Sequence, residues 1–549
     1  MIAAMVKFVR VAFCTWVIAF GPNTQAADTA RLNVRIVDAS GELTAARAWV
    51  EVQGKRFFQP LQPSTAVAYA RDQSFSCDGE FGIEVPAGTL HVHIEKGKEY
   101  FPIDDVLVLE SNHTTDHTVQ LVRWIDLTES GWYSADLHVH FGQQDPKILR
   151  QLALADDVNL VPAFSYWLRG REESWRDNWP DASYLTPDIV DTKHVITRNN
   201  IEIERIQANA IPGGSVGATF LFNLKKPILV SEFGEYFPTD AALGKLAQSM
   251  SPQVVLDSDK PAWSETVVGA ALGALDTIQI CHNHYHRNAT LNGGWGMIGP
   301  IAAGESNSAE GDGLFHRTNG LYYRLLNCGF HLGVSGGSAI GVMPVPTGFN
   351  RVYAQIDGPL TADKMWTAIR SGRSFATTGP VLMLSANGCL PGESISVRSA
   401  NGQSISIDID VQSIDLLEGL QLINNGNVIS SLNLQTEKPN PIIHRNMHFD
   451  LAPNRSGWLA ARVIYRAPDG MLRQAHTSPI YISVDDQPTA FADDAAYMLR
   501  WIAILEEIAK TQPARFPSAA LQDRVLAVYD AARRVYQKVL SDSRQYWDD

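Results

Sequence analysis

The run Trp132-Tyr133-Ser134-Ala135-Asp136-Leu137-His138-Val139-His140 constrains this chain more than any other stretch. Alternate side chains of a β-strand share a face, so His138 and His140 aim at one point while Leu137 and Val139 enter a packed layer opposite. Two neutral imidazoles converging at the end of a buried strand favour a divalent cation, because histidine is the commonest side-chain ligand for one. A fold that carries this pair has to bury one face of the strand and open the other into a pocket.

At 549 residues the chain is too long for one ordinary core, and its patterning changes along its length. Lys7 and Arg10 border an apolar run at residues 11–20, too short to span a bilayer, and Thr24-Gln25-Ala26 offers the small residues of a signal-peptidase site. Residues 1–26 therefore read as a cleaved secretory signal, which predicts a periplasmic or secreted protein with no stable membrane insertion afterwards.

Residues 27–125 read as an N-terminal β-sandwich: residues 32–37 and 90–94 alternate apolar and polar, and Asp38-Ala39-Ser40-Gly41 and Pro86-Ala87-Gly88 are turns. His91 and His93 form a second H-x-H there, but between Val92 and Ile94 they are expected on the solvent face. In residues 126–385, apolar runs at 160–163, 227–230 and 277–280 alternate with longer polar segments, the pattern of an α/β, barrel-like domain with its chemistry at the carboxyl ends of the strands. His138, Glu232 and His282 each follow such a run. Residues 386–486 return to short alternating strands with an Asn424-Asn425-Gly426-Asn427 hairpin turn, and predict a second β-sandwich. Residues 487–549 carry two apolar helical stripes separated by Pro513 and Pro517, a helical hairpin expected to dock on the body.

The 59 acidic against 45 basic residues give a formal charge of -14, which argues against nucleic acid or anionic membrane as the main partner and is compatible with a small-molecule substrate. Oligomeric state stays open. Cys77, Cys281, Cys328 and Cys389 lack metal-cluster spacing and are expected as small apolar residues.

Further chemistry-bearing clusters lie beyond the first pair. Glu202 and Glu204 alternate with Ile201 and Ile203, so both carboxylates fall on one side of a strand, with Arg205 beside them as a possible neutralising partner. In Cys281-His282-Asn283-His284-Tyr285-His286-Arg287, three histidines at alternate positions would share a face if the segment were extended. Imidazole plus carboxylate suits Zn first, with Mn or Fe behind it, over Mg or Ca. Lys260 and Arg351 are candidates to orient an anionic substrate, and Tyr166, Trp167, Trp175 and Trp179 to line a pocket mouth. The glycine-rich Gly333-Val334-Ser335-Gly336-Gly337 contains G-x-S-x-G, but Gly341, Pro344, Pro346 and Gly348 follow too soon for the helix that a nucleophilic serine needs. A tight turn lining a pocket is the better reading.

The opening motif resembles that of PHP-domain metallohydrolases, specifically the CehA/McbA-type group. The similarity continues through Asn283-His284-Tyr285-His286-Arg287, Gly337-Ser338-Ala339-Ile340-Gly341-Val342, Gly348-Phe349-Asn350-Arg351-Val352-Tyr353 and Ser371-Gly372-Arg373-Ser374-Phe375-Ala376-Thr377-Thr378-Gly379-Pro380. The resemblance implies a distorted (β/α) barrel that holds divalent metal and hydrolyses ester-like bonds: phosphoesters in PHP proteins generally, carbamate esters in this group. By position it implies His138, His140, Glu202 (with Glu204 as rival) and His284 as metal ligands, and His286 as companion. Where the family closes its site with Asp-x-His, this chain has Gly337-Ser338-Ala339, and in place of T-D-H-N it has Ala163-Phe164-Ser165-Tyr166-Trp167. That implies one or two ions rather than three. The expectation is an exported metal-dependent hydrolase, with His286 as a general acid whose ordinary pKa lies near working pH. The rival is a non-catalytic protein with a degenerate site that recognises glycans or a protein partner.

Overall fold

The structure is a computed structural model that describes residues 28–547 except 62–65, 70, 141–144, 170–181, 206–216, 227, 229–231, 233, 292–310 and 400–401. The expected signal segment, Trp175 and Trp179, the side chains of Tyr166 and Trp167, and most of the run at 227–230 lie outside the described residues. Within them the protein is mixed α/β and mostly sheet, with seven α-helices.

The N-terminal region follows its patterning. Thr29–Val37 and Gly88–Glu95 bury alternate residues, and they belong to a three-stranded and a six-stranded sheet respectively. The two sheets share a core that includes Leu32, Val34, Ile36, Phe75, Val92 and Ile94. Burying each of the larger side chains contributes about 1.5–3 kcal/mol.

One 16-stranded sheet then runs through the rest of the molecule. From one edge its order is Gly333–Gly336, Thr277–Cys281, Val255–Ser258, Gly217–Phe222, Val195–Arg205, Leu160–Arg169, Trp132–Ala135, Arg351–Gln355 and Ser374–Thr377, and it continues into Leu472–Thr477 and Gly457–Arg466. The expected barrel does not occur as a closed strand ladder among the described residues. The sheet instead curls until its glycine-rich edge meets the segment after Trp132–Ala135, where Leu137 N–H bonds Gly336 O at 3.0 Å and Val139 bridges both Ala163 and Ile340. The expected boundary at residue 385 is crossed by this sheet and also by a core: Trp132, Tyr353 and Phe375 pack with Leu382, Ile409, Leu422 and Ile480. The hairpin turn forms as its residues require, Asn425 (φ 50) and Gly426 (φ 85) joining Gly419–Asn424 to Asn427–Asn433.

Ala492–Thr511 and Ala519–Tyr546 form the C-terminal helical pair, broken at Pro513–Arg515. Its apolar stripes dock on the body, and the polar contacts that fix it include Trp501 Nε1 to Ser264 O at 2.9 Å, Tyr536 OH to Val267 O at 2.6 Å and Tyr529 OH to Glu265 Oε1 at 2.5 Å. No helix among the described residues is long and apolar enough to cross a membrane.

Candidate metal centre

His138 and His140 lie just past Trp132–Ala135, where the chain stays extended because Leu137, Val139 and His140 bond to the glycine-rich edge and to Ala163. Leu137 and Val139 are fully buried opposite the imidazoles, as alternation requires. The carboxylate of Asp136 fixes the register. It accepts the backbone N–H groups of His138 (3.1 Å), Ser338 (2.9 Å) and Gly348 (2.6 Å), and burial pushes it up to about 6 in spite of them. Gly337 permits the close approach: a Cβ there would stand 2.5 Å from His138 Cβ.

Val195–Arg205 delivers Glu202. Ile201 and Ile203 enter the core on one side, while Glu202 and Glu204 line the same small cavity on the other. Arg205 turns away to a buried network of its own, with Asp240 and with Glu265 Oε2 at 3.0 Å. The Nε2 atoms of His138 and His140 are 3.0 Å apart, and Glu202 Oε2 stands 3.0 Å from His140 Nε2 and 3.7 Å from His138 Nε2. Donors on a tetrahedral ion with bonds of about 2.0 Å are separated by roughly 3.3 Å, so these three atoms fit a Zn-sized cation. The geometry selects Glu202 over Glu204 for this set.

Apolar rings wall the centre. Phe220 lies edge-on to His138 at 4.7 Å between ring centroids, and Phe164 packs on His138 at 5.8 Å and on His140 at 5.2 Å. Such a wall lowers the local dielectric and strengthens charge interactions inside it. Phe164 occupies the stretch where the resemblance would have placed further donors.

The cavity, about 60 Å³, is also lined by Asp259, Lys260, Trp263, Asn283 and His284. Asp259 is the residue that sequence reasoning missed. Its Oδ1 stands 3.4 Å from His138 Nδ1, the side of the ring that faces away from Glu202, and its other oxygen pairs with Lys260. Burial would raise this carboxyl, but the Lys260 ammonium and His138 hold it well below the usual carboxylate range. A carboxylate behind a ligating imidazole fixes its tautomer and orientation. The available signal was Asp257-Ser258-Asp259 after a short apolar run; Val255–Ser258, with only four residues, hid it. Burial, reinforced by Lys260, pushes His284 well below the ordinary histidine value, so its imidazole is neutral, the form that ligates.

Two of the expected site residues stand elsewhere. His286 does not line this cavity: the chain leaves the strand at Cys281 and turns, Tyr285 bridges Thr290, and His286 Nε2 faces Asn283 O at 3.1 Å. The three histidines therefore diverge, and His282 meets Thr318 Oγ1 at 3.3 Å instead. Arg351 is an internal clamp, bonding Gly348 O (2.6 Å), Asp156 O (3.0 Å) and Asp157 O (3.2 Å). Glu232 is exposed. Ser335 lies within Gly333–Gly336, donates to Asp257 Oδ1 at 2.5 Å and is followed by loop and turns up to Arg351, so the nucleophile elbow is absent. Cys77, Cys281 and Cys328 are buried free thiols, as expected, whereas Cys389, also free, is only half-buried.

His91 and His93 do face outward, and with Asp104 they form a second group of closely spaced donors. No protein-family model matches this chain, and no curated protein sequence matches it significantly.

Proposed function

We propose that the protein is an exported, metal-dependent hydrolase of ester-like bonds, built on a PHP-like distorted barrel with flanking β-sandwiches. One observation carries this reading: three buried donors, His138 Nε2, His140 Nε2 and Glu202 Oε2, meet at the spacing of ligands on one ion. Zn suits two imidazoles and a carboxylate best, with Mn or Fe as substitutes; His284, across the same cavity, is the further donor that one or two ions would use. When bound, such a cation lowers the pKa of water and polarises a carbonyl or phosphoryl oxygen.

The chain's own groups then divide the remaining work. Asp259 faces His138 Nδ1 at 3.4 Å, and its negative charge there favours the proton on Nδ1, which leaves Nε2 as the ligating nitrogen. Lys260 keeps Asp259 ionised and places a cation beside the cavity, where it can orient an anionic substrate oxygen. Glu204, which lines the same cavity, takes a proton from attacking water in this reading and returns it to the leaving group, in place of His286. Phe164 and Phe220 exclude bulk water from the imidazoles.

The test is elemental analysis of purified protein beside hydrolysis of 1-naphthyl acetate, a naphthyl carbamate and p-nitrophenyl phosphate, in wild type and His138→Ala. Stoichiometric metal and chelator-sensitive turnover, both lost in the variant, are expected. Bound metal with no turnover on any ester class leaves a binding protein instead, and a folded wild type that takes up no transition ion overturns the proposal.

A further inference from the structure

The second H-x-H pair lies in a different sheet. Three neighbouring strands place its surroundings in register: Trp49 of Ala46–Val52 pairs with His93 of Gly88–Glu95, which pairs in turn with Asp104 of Ile103–Leu109. Residues paired across strands share a face, so an indole, an imidazole and a carboxylate stand in one row, with His91 two positions along. Val92 and Ile94 are fully buried on the other face.

His91 Nδ1 lies 3.0 Å and His93 Nδ1 3.6 Å from the same oxygen, Asp104 Oδ1. An ordinary surface ion pair needs one histidine. Here two rings, nearly parallel at 11° and 5.9 Å apart, direct nitrogens at one carboxylate oxygen. His93 is also held in place, stacked on Trp49 at 4.8 Å and 15°. A ring fixed by stacking loses little rotamer freedom on binding, which removes part of the usual cost of ordering a surface ligand.

We propose that His91, His93 and Asp104 form a second, solvent-facing site for a transition-metal ion, with Cu2+ the tightest and Ni2+ and Zn2+ weaker. Two imidazoles with one carboxylate prefer these ions to Mg2+ or Ca2+, and Cu2+ heads the stability order for such ligands. This site shares no residue with the buried centre and holds whether or not that centre is catalytic.

Trp49 supplies a readout other than activity, since Cu2+ bound to His93 quenches an indole stacked on it. Copper is titrated into a His138→Ala/His140→Ala background while tryptophan emission and dialysed copper are followed. One copper per chain with partial quenching is expected. His91→Gln, at an exposed position that leaves the core intact, weakens binding at least about tenfold, because even an outer partner of a ligand is worth 10–100-fold. Trp49→Phe keeps the copper and loses most of the quenching. The same comparison in the otherwise wild-type chain, where His91→Gln removes one copper equivalent, covers the case in which the background variant does not fold. Identical copper isotherms with and without His91, or no bound copper in either chain, overturn the proposal.

Discussion

His138–His140 and His91–His93 share one spacing and sit on, or just past, β-strands, yet the protein surrounds them differently. The side chains of His138, His140 and Glu202 are 3%, 6% and 3% exposed, against 47%, 20% and 58% for His91, His93 and Asp104. The first pair has an apolar wall of Phe164 and Phe220 and a carboxylate behind one ring; the second has solvent on one side and Trp49 beneath it. In a low dielectric the same three charges interact several times more strongly, and an ion held there would meet little competition from water. The difference teaches that spacing sets where imidazoles point, whereas burial sets what a bound cation can do.

The largest effect that can break this contrast is on chemistry. His140→Ala removes a donor at the crowded centre, and bound metal and ester hydrolysis are both expected to vanish; the same change at His91 leaves turnover at the wild-type rate, as steady-state assays on both variants will show. Next comes stability. Leu137→Ala opens a cavity under the buried pair and is expected to lower the unfolding free energy by about 2–5 kcal/mol, measured by urea melts.

Asp259→Asn sharpens the comparison from behind the ligand. It keeps the side-chain shape but removes the charge that faces His138 Nδ1 at 3.4 Å, so metal affinity is expected to fall about 10–100-fold with the fold intact, read by chelator competition. An unchanged affinity would remove Asp259 from the centre. The smallest effect belongs to the exposed pair: His91→Gln is expected to shift stability by no more than about 0.5 kcal/mol, because its contact with Asp104 is open to solvent.

Much of the local structure was legible because its signals are local. Alternation located Thr29–Val37 and Gly88–Glu95 and the outward face of His91 and His93, and Asn425-Gly426 announced a turn that needs two positive φ angles. Glu202 and Glu204 were placed on one face of a strand for the same reason. His286 was misplaced because alternation holds only while the backbone is extended, and the chain turns after Cys281. Arg351 shows another limit. A guanidinium satisfied by three backbone carbonyls reads in sequence like one awaiting an anion. Asp259 went unseen because a four-residue strand gives alternation too little length to register.

The sequence by itself determined which side chains share a face, where the chain reverses and which stripes of the last two helices are buried, since each follows from neighbours a few positions apart. Only the tertiary structure decided that Glu202 rather than Glu204 meets the two imidazoles, that Asp259 stands behind one of them, and that Asp104 joins the outer pair. Those meetings depend on strand order and sheet curl, which are fixed by packing over the whole core, and no local pattern encodes them.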